Sequence, residues 1–242
     1  MTSERSRMRD DMILVAIAYH SGHGHTRRQA EAVVRGAASV PGARAELHDV
    51  SELSDRLRDA LDGADAIVFG APTYMGSPSS VFKAFAEDTV KQWGDGLRWK
   101  DKIAAGFTNS ANMNGDKLNS LFDLVILAAQ HGMHWVSLGL YPGWNSSTGG
   151  PEDLNRLGSW LGAMAQSNGD EGPDTAPPDS DLRTPKNSAR AWPPSPYSGS
   201  TAAGQHRGRI YRRVFRPVPD KLWWLHHHPP GRNHRAPRSV RR

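Results

Sequence analysis

The sequence predicts an α/β protein built on a doubly wound sheet of five parallel strands, followed by a long C-terminal tail. Three observations carry that expectation. Short, unbroken apolar runs alternate with helically spaced segments from Met12 to Gly139. Those runs lack the polar alternation of half-buried hairpins, as expected of strands covered on both faces. Beyond Gln166 the periodicity gives way to Pro, Asp, Gly and Ser, then to a basic Pro/Arg/His stretch.

Taken in order, Met12–Ala18 reads as the first strand, and Thr26–Ala38 as a helix with Ala30, Val33, Val34 and Ala37 on one face. Ala45–Val50 is the second strand. Ser51–Leu61 is a helix with Ser51 as its N-cap. Ala66–Gly70 is the third strand, Ser79–Val90 a helix, Ile103–Thr108 the fourth strand, Asp116–His131 a long helix and Trp135–Gly139 the fifth strand. Parallel strands joined this way need right-handed crossovers with helices on both sheet faces. Tyr141–Gly150 is a Gly/Ser/Asn loop, and Leu154–Ala165 has room for one helical turn or several.

Charge divides the chain. Residues 1–185 hold 17 Lys/Arg against 24 Asp/Glu, whereas residues 186–242 hold 13 against one, Asp220. The organisation expected is a flexible N-terminus over 1–11, a folded domain over 12–167 and a disordered tail over 168–242. With no cysteine in the chain, disulfides, thiol nucleophiles and Cys-ligated zinc are excluded. The apolar run Ile13–Ala18 is too short for a signal core or a membrane span. A cytoplasmic protein without membrane contact is the expectation.

In an open parallel sheet, ligands bind beyond the carboxyl ends of the strands, and three loops there carry unusual residues. The first, "HSGHGHT", holds Ser21, Gly22, His23, Gly24, His25 and Thr26 between a strand and a helix N-terminus, where free amides and the helix dipole suit a phosphate. It is neither a Walker loop nor a complete GxGxxG. His20, His23 and His25 raise a metal reading, but no carboxylate lies close in sequence, so no metal site is expected. A ligand-free turn is the plain alternative. The second loop places Pro72, Thr73, Tyr74, Met75 and Gly76 after strand three, offering a flat ring and a soft apolar surface. The third, "NSANMNGDK", holds Asn109, Ser110, Ala111, Asn112, Asn114 and Gly115, whose amides can bond the edge of a heterocycle. Together they describe a pocket for a phosphorylated flat heterocycle.

The blocks "YHSGHGHTRRQAEAV", "GAPTYMGSPSSVFKAF", "FTNSANMNGDK" and "AAQHGMHWVSLG" resemble the flavodoxin-like NAD(P)H-dependent FMN reductases and quinone oxidoreductases, including the tryptophan-repressor-binding-protein group. The resemblance spans about residues 12–167. It implies a flavodoxin-like sheet of order 2-1-3-4-5, noncovalent FMN, NADPH or NADH as co-substrate, a small-molecule electron acceptor such as a quinone, and a homodimer or homotetramer. Carried over by position, Ser21–Thr26 would hold the phosphate, Pro72–Gly76 would flank the isoalloxazine and Asn109–Gly115 would bond its pyrimidine edge. His131 matches a family histidine beside flavin and quinone; its plain reading is a histidine favoured by a helix C-terminus.

The sequence departs from the family in two places. The segment before strand four is only "RWKDK", so a substrate role does not carry over securely to Trp99. The family's last helix begins at "DLRT", Asp181–Thr184, and then dissolves into "PKNSARAWPPSPYSG", so that helix is expected to be missing or replaced. A change of reading frame after Pro185 would explain the break. A flavodoxin-type electron carrier is the alternative function. A third reading takes the arginines and aromatics of "RGRIYRRVFRP" as a nucleic-acid arm, although nucleic acid is not an expected partner.

Overall fold

The computed structural model describes residues 12–191. Seven strands form one sheet: β1 (Ile13–Tyr19), β2 (Ala43–Asp49), β3 (Ala66–Tyr74), β4 (Ser77–Pro78), β5 (Ile103–Ser110), β6 (His134–Trp135) and β7 (Ala163–Gln166). The main path runs β2-β1-β3-β5-β6, all parallel. Counted by position this is the expected order 2-1-3-4-5.

The helices are α1 (His25–Ala37), α2 (Asp55–Asp62), α3 (Ser80–Asp88), α4 (Val90–Gly94), α5 (Lys117–Gln130) and α6 (Asp179–Ala191). Every residue of β1 is buried, and its side chains alternate between two cores. Leu14, Ala16 and Ala18 join Leu57, Leu61, Phe82, Phe85, Leu121 and Leu124, so α2, α3 and α5 cover one face. Ile13, Val15 and Ile17 join Ala30, Val33, Ala37 and Ala189, so α1 and α6 cover the other.

Three expectations are corrected. The second helix begins at Asp55, capped by Ser54, whose Oγ accepts the Leu57 amide at 3.2 Å; Ser51 instead bonds Asp49. The fifth strand position is divided. β6 pairs with the first residues of β5, and β7 pairs with Phe107–Ser110 after a long excursion through residues 136–162. Ala163–Gln166 is therefore strand, where the sequence suggests helical turns.

The third correction concerns the last helix, which is present. α6 runs through Pro185 and packs along α1, so closely that a Cβ on Gly36 would sit 2.2 Å from the Lys186 carbonyl oxygen. Ser188 Oγ donates to Leu138 O at 2.8 Å. Proline inside a helix forfeits a hydrogen bond, which is why local reading breaks this helix at Pro185. Burial of Leu182, Thr184, Ser188 and Ala189 against the sheet side outweighs that loss. Residues 1–11 and the sequence from Trp192 onward, including the arginine-rich stretch, lie outside the described residues.

Candidate functional site

The three loops converge at the carboxyl edge of β1, β3 and β5. Loop one enters α1 through Gly24, whose φ of +87° is left-handed and whose α-hydrogen faces Pro173: a Cβ there would lie 2.8 Å from that ring. Ser21 Oγ accepts the Arg27 amide at 3.1 Å. The amides of His23, Gly24, His25 and Thr26 find no acceptor among the described residues, which leaves the positive end of α1 free for an anion. The three histidines diverge. His20 is buried with Nδ1 2.7 Å from Ser79 Oγ, His23 meets the Tyr74 ring edge-on at 6.2 Å, and His25 Nε2 reaches Glu171 O at 2.8 Å. Burial holds the His20 imidazole below its ordinary pKa, against an opposing pull from Asp49.

Loop two is a tight hairpin. Thr73 pairs with Pro78 and Tyr74 with Ser77, leaving Met75 and Gly76 as the two turn residues, both at positive φ (49° and 84°). Positive φ at both positions is the type I′ geometry that matches strand twist. The turn carries Met75 fully into solvent and leaves Tyr74 40% exposed. The Tyr74 hydroxyl closes on Gly22, where a Cβ would come within 2.5 Å of it. Burial raises the Tyr74 pKa, with the Gly22 backbone acting in the opposite direction. Pro72 is buried, its carbonyl accepting the Ser79 amide at 3.1 Å. Thr73 turns inward: its Oγ1 lies 2.8 Å from Thr108 Oγ1 and donates to Ser120 Oγ at 2.7 Å. That side chain fixes the loop from beneath.

Loop three is anchored from below by Lys117, the first residue of α5. Its Nζ donates to Ser110 Oγ at 2.7 Å and to Asn112 O at 2.5 Å. Gly115 at φ +55° passes over Ser110, so closely that a Cβ would meet Ser110 Oγ at 2.2 Å. Asn109 is buried, its Oδ1 accepting the Ser167 hydroxyl at 2.9 Å. Ala111, Asn112 and Asn114 are exposed, and Ala111 O accepts from Gln166 Nε2 at 2.9 Å. Asn119 Nδ2 ties α5 to loop two through Gly76 O at 2.8 Å.

His131 is not at this site. It follows α5 at the opposite, amino end of the strands, 2% exposed, with Nε2 2.9 Å from Thr89 Oγ1 and its ring 4.5 Å from that of Trp99. Trp99 donates to Asp62 Oδ1 at 2.7 Å and packs on Phe69. Both residues belong to the core. α5 runs antiparallel to the strands, so its N-terminus faces the ligand edge and its C-terminus cannot.

Comparison with known proteins decides the family. A model of the NADPH-dependent FMN reductases matches residues 12–141. This chain belongs to that family. FMN is the cofactor of the FMN reductases and NAD(P)H their reductant. The chain is 44% identical over 175 residues to flavodoxin FldP of Pseudomonas aeruginosa, covering 72% of this chain and 92% of that one. It is 33% identical to an NAD(P)H dehydrogenase (quinone) of Geobacter sulfurreducens, over 51% of this chain and 71% of the relative. Among solved structures, a flavodoxin, WrbA-like protein from Agrobacterium tumefaciens aligns with TM-score 0.58 at 42% identity, over 74% of this chain and 93% of that one.

The residues present fit FMN. Unclaimed amides at the start of α1 suit its phosphate. Tyr74 and Met75 offer a face for its rings, and the exposed amides of Asn112 and Asn114 offer polar edge contacts. Three features were missed by sequence reasoning: the Lys117 anchor, the strap Glu171–Pro173 over loop one, and the Arg156–Asp181 pair behind loop three. Only Lys117 had a signal, a lysine inside a polar loop at a helix start; the strap and Asp181 come from the region past the expected domain end, and Arg156 from a segment without clear periodicity.

Proposed function

We propose that this chain is an FMN-dependent oxidoreductase that moves reducing equivalents from NAD(P)H to a quinone or a similar flat, uncharged acceptor. The observation that carries the reading is the rim of the site. Tyr74 and Met75 of loop two and Met113 of loop three are exposed, apolar groups on the loops that also carry the exposed Asn112 and Asn114, a combination suited to a planar apolar molecule. Bound FMN supplies the redox chemistry, accepting a hydride from NAD(P)H and passing two electrons to the acceptor. The chain's own residues bind and orient. The α1 amides and Ser21 hold the phosphate end, Tyr74 and the Met75–Gly76 turn set the ring plane, and loop three fixes the pyrimidine side. His131 has no part in the proposal.

A second reading is favoured by the flavodoxin name of the 44% relative: a carrier that exchanges electrons with a protein and is not reduced by nicotinamide directly. Anaerobic stopped-flow mixing of FMN-loaded protein with NADPH and with NADH separates the two. Rapid bleaching of the flavin band, reversed by added quinone, is the expected result. Reduction by neither nucleotide assigns the carrier.

The proposed assembly is a homodimer or homotetramer. Leu118, Phe122 and Ile126, spaced four apart on α5, are each about half exposed and form one apolar stripe. Light scattering should give a multiple of the chain mass, and Phe122→Glu should reduce it. No helix among the described residues is long and apolar enough to cross a membrane; a cytoplasmic setting is the proposal, consistent with the cysteine-free composition.

A further inference from the structure

We propose that Lys117 is a positioning residue that places a fixed positive charge under the pyrimidine side of the flavin site and thereby favours reduced over oxidised FMN. The inference rests on the reading of loop three as the pyrimidine-side loop, and it concerns this chain's own ammonium group.

Lys117 has no solvent exposure. An ammonium carries three donors. Ser110 Oγ and Asn112 O take two, and no acceptor for the third is found among the described residues. No carboxylate comes within ion-pair distance of it there either. Asp181, the acid whose field acts on it, is engaged by Nε and Nη2 of Arg156 and by the Gln166 amide. Arg156 and Asp181 neutralise one another, so the net charge of this buried group of three is that of Lys117. Burial lowers the Lys117 pKa to about 8, Asp181 raising it and Arg156 lowering it further, so the charge persists at neutral pH.

A buried cation without a counterion is costly. It is compensated when negative charge arrives close by. Hydride transfer brings two electrons and one proton to N5 of FMN, oxidising NAD(P)H to NAD(P)+, and the negative charge left over resides on the pyrimidine side. Lys117 reaches that side through Ser110 and Asn112, the residues that shape the loop. Positive charge near this part of a flavin is a recognised control on its electronics.

The test uses full-length FMN-loaded protein and Lys117→Met, which keeps the length of the side chain without its charge. Fluorescence titration gives the affinity for oxidised FMN, and a spectrophotometric redox titration at pH 7 gives the potential. The expected result is that both forms bind more weakly, because loop three loses its anchor, with reduced FMN losing about tenfold more affinity than oxidised FMN, which lowers a two-electron potential by about 30 mV. Lys117→Arg should retain the wild-type value. A folded, FMN-binding Lys117→Met with an unchanged potential overturns the proposal while leaving the site assignment intact; wild-type protein that fails to bind FMN overturns the site assignment itself. Should Lys117→Met not fold, the wild-type potential read from pH 7 to 10 decides. It should fall more steeply with pH above about 8, as reduction helps Lys117 keep its proton against burial and the opposing Arg156 charge, with Asp181 acting in the same direction as the reduced flavin, and a constant slope refutes the charge.

Discussion

Asp181 grips Arg156 through both carboxylate oxygens, Oδ1 to Nε and Oδ2 to Nη2, each at 2.7 Å, with both side chains almost wholly buried. One partner comes from the last helix and the other from the excursion between β6 and β7, and Asp181 Oδ2 also accepts the Gln166 amide at the end of β7. The fold's C-terminal helix is thus tied directly to the strand that flanks loop three.

Removing one member of this pair should therefore be costly. Asp181→Asn leaves the Arg156 charge buried without a counterion, a situation worth about 3–5 kcal/mol. Urea denaturation followed by circular dichroism should show that loss. Truncation after Pro185, which deletes the buried Ser188 and Ala189, should destabilise the chain as well.

Gly24→Ala forces a Cβ into the left-handed region and against Pro173. The conformational strain alone amounts to about 1–2 kcal/mol, and the turn that presents the α1 amides must shift. FMN affinity, read by quenching of flavin fluorescence, should fall by about tenfold or more, with helix content unchanged.

His131→Phe should leave the rate of NAD(P)H-dependent flavin reduction at its wild-type value, because the ring lies at the far end of the strands. Its effect should appear in acid. Burial holds the His131 pKa below its ordinary value of 6.5, so as pH falls below about 6.5 the unfolded chain binds a proton that the folded chain refuses, and stability drops. The substitution should flatten that acid limb. His20 and His48 are depressed by burial in the same way and keep it from vanishing.

Lys117 predicts the alkaline side. Its pKa is lowered to about 8 from 10.5, so the unfolded chain binds the extra proton between those values and stability rises with pH across that window. The rise should be roughly 3 kcal/mol in wild-type denaturation curves and should largely disappear in Lys117→Met. Lys102, also depressed by burial, leaves a residual slope of the same sign.

Much of the site was legible in the chain because strand-to-helix turns announce themselves locally. Gly22 and Gly24 mark a close approach wherever they occur between an apolar run and a helix. Gly76 reads as a place of close backbone approach, while the two-residue turn with positive φ at both Met75 and Gly76 came from the structure. What each side chain does there was not legible. Thr73 and Asn109 sit in the predicted loops yet face inward, toward Ser120 and Ser167, because a one-residue step along a strand reverses the side chain. His131 matched a family motif by position, and the direction of α5 put it at the wrong end.

The sequence by itself determined the alternation of strands and helices as far as β6 and the three ligand-edge loops, since hydrophobic periodicity and turn chemistry are properties of neighbouring residues; the strand order 2-1-3-4-5 came from the family resemblance. The tertiary structure alone decided that a helix, Asp179–Ala191, follows the last strand, which lysine lies beneath the loop and which histidine lies in the core. α6 exists despite Pro185 because Gly36 admits it against α1 and Arg156 waits for Asp181 from 25 residues away. Long-range burial and ion pairing of that kind leave no local pattern in a chain to be read.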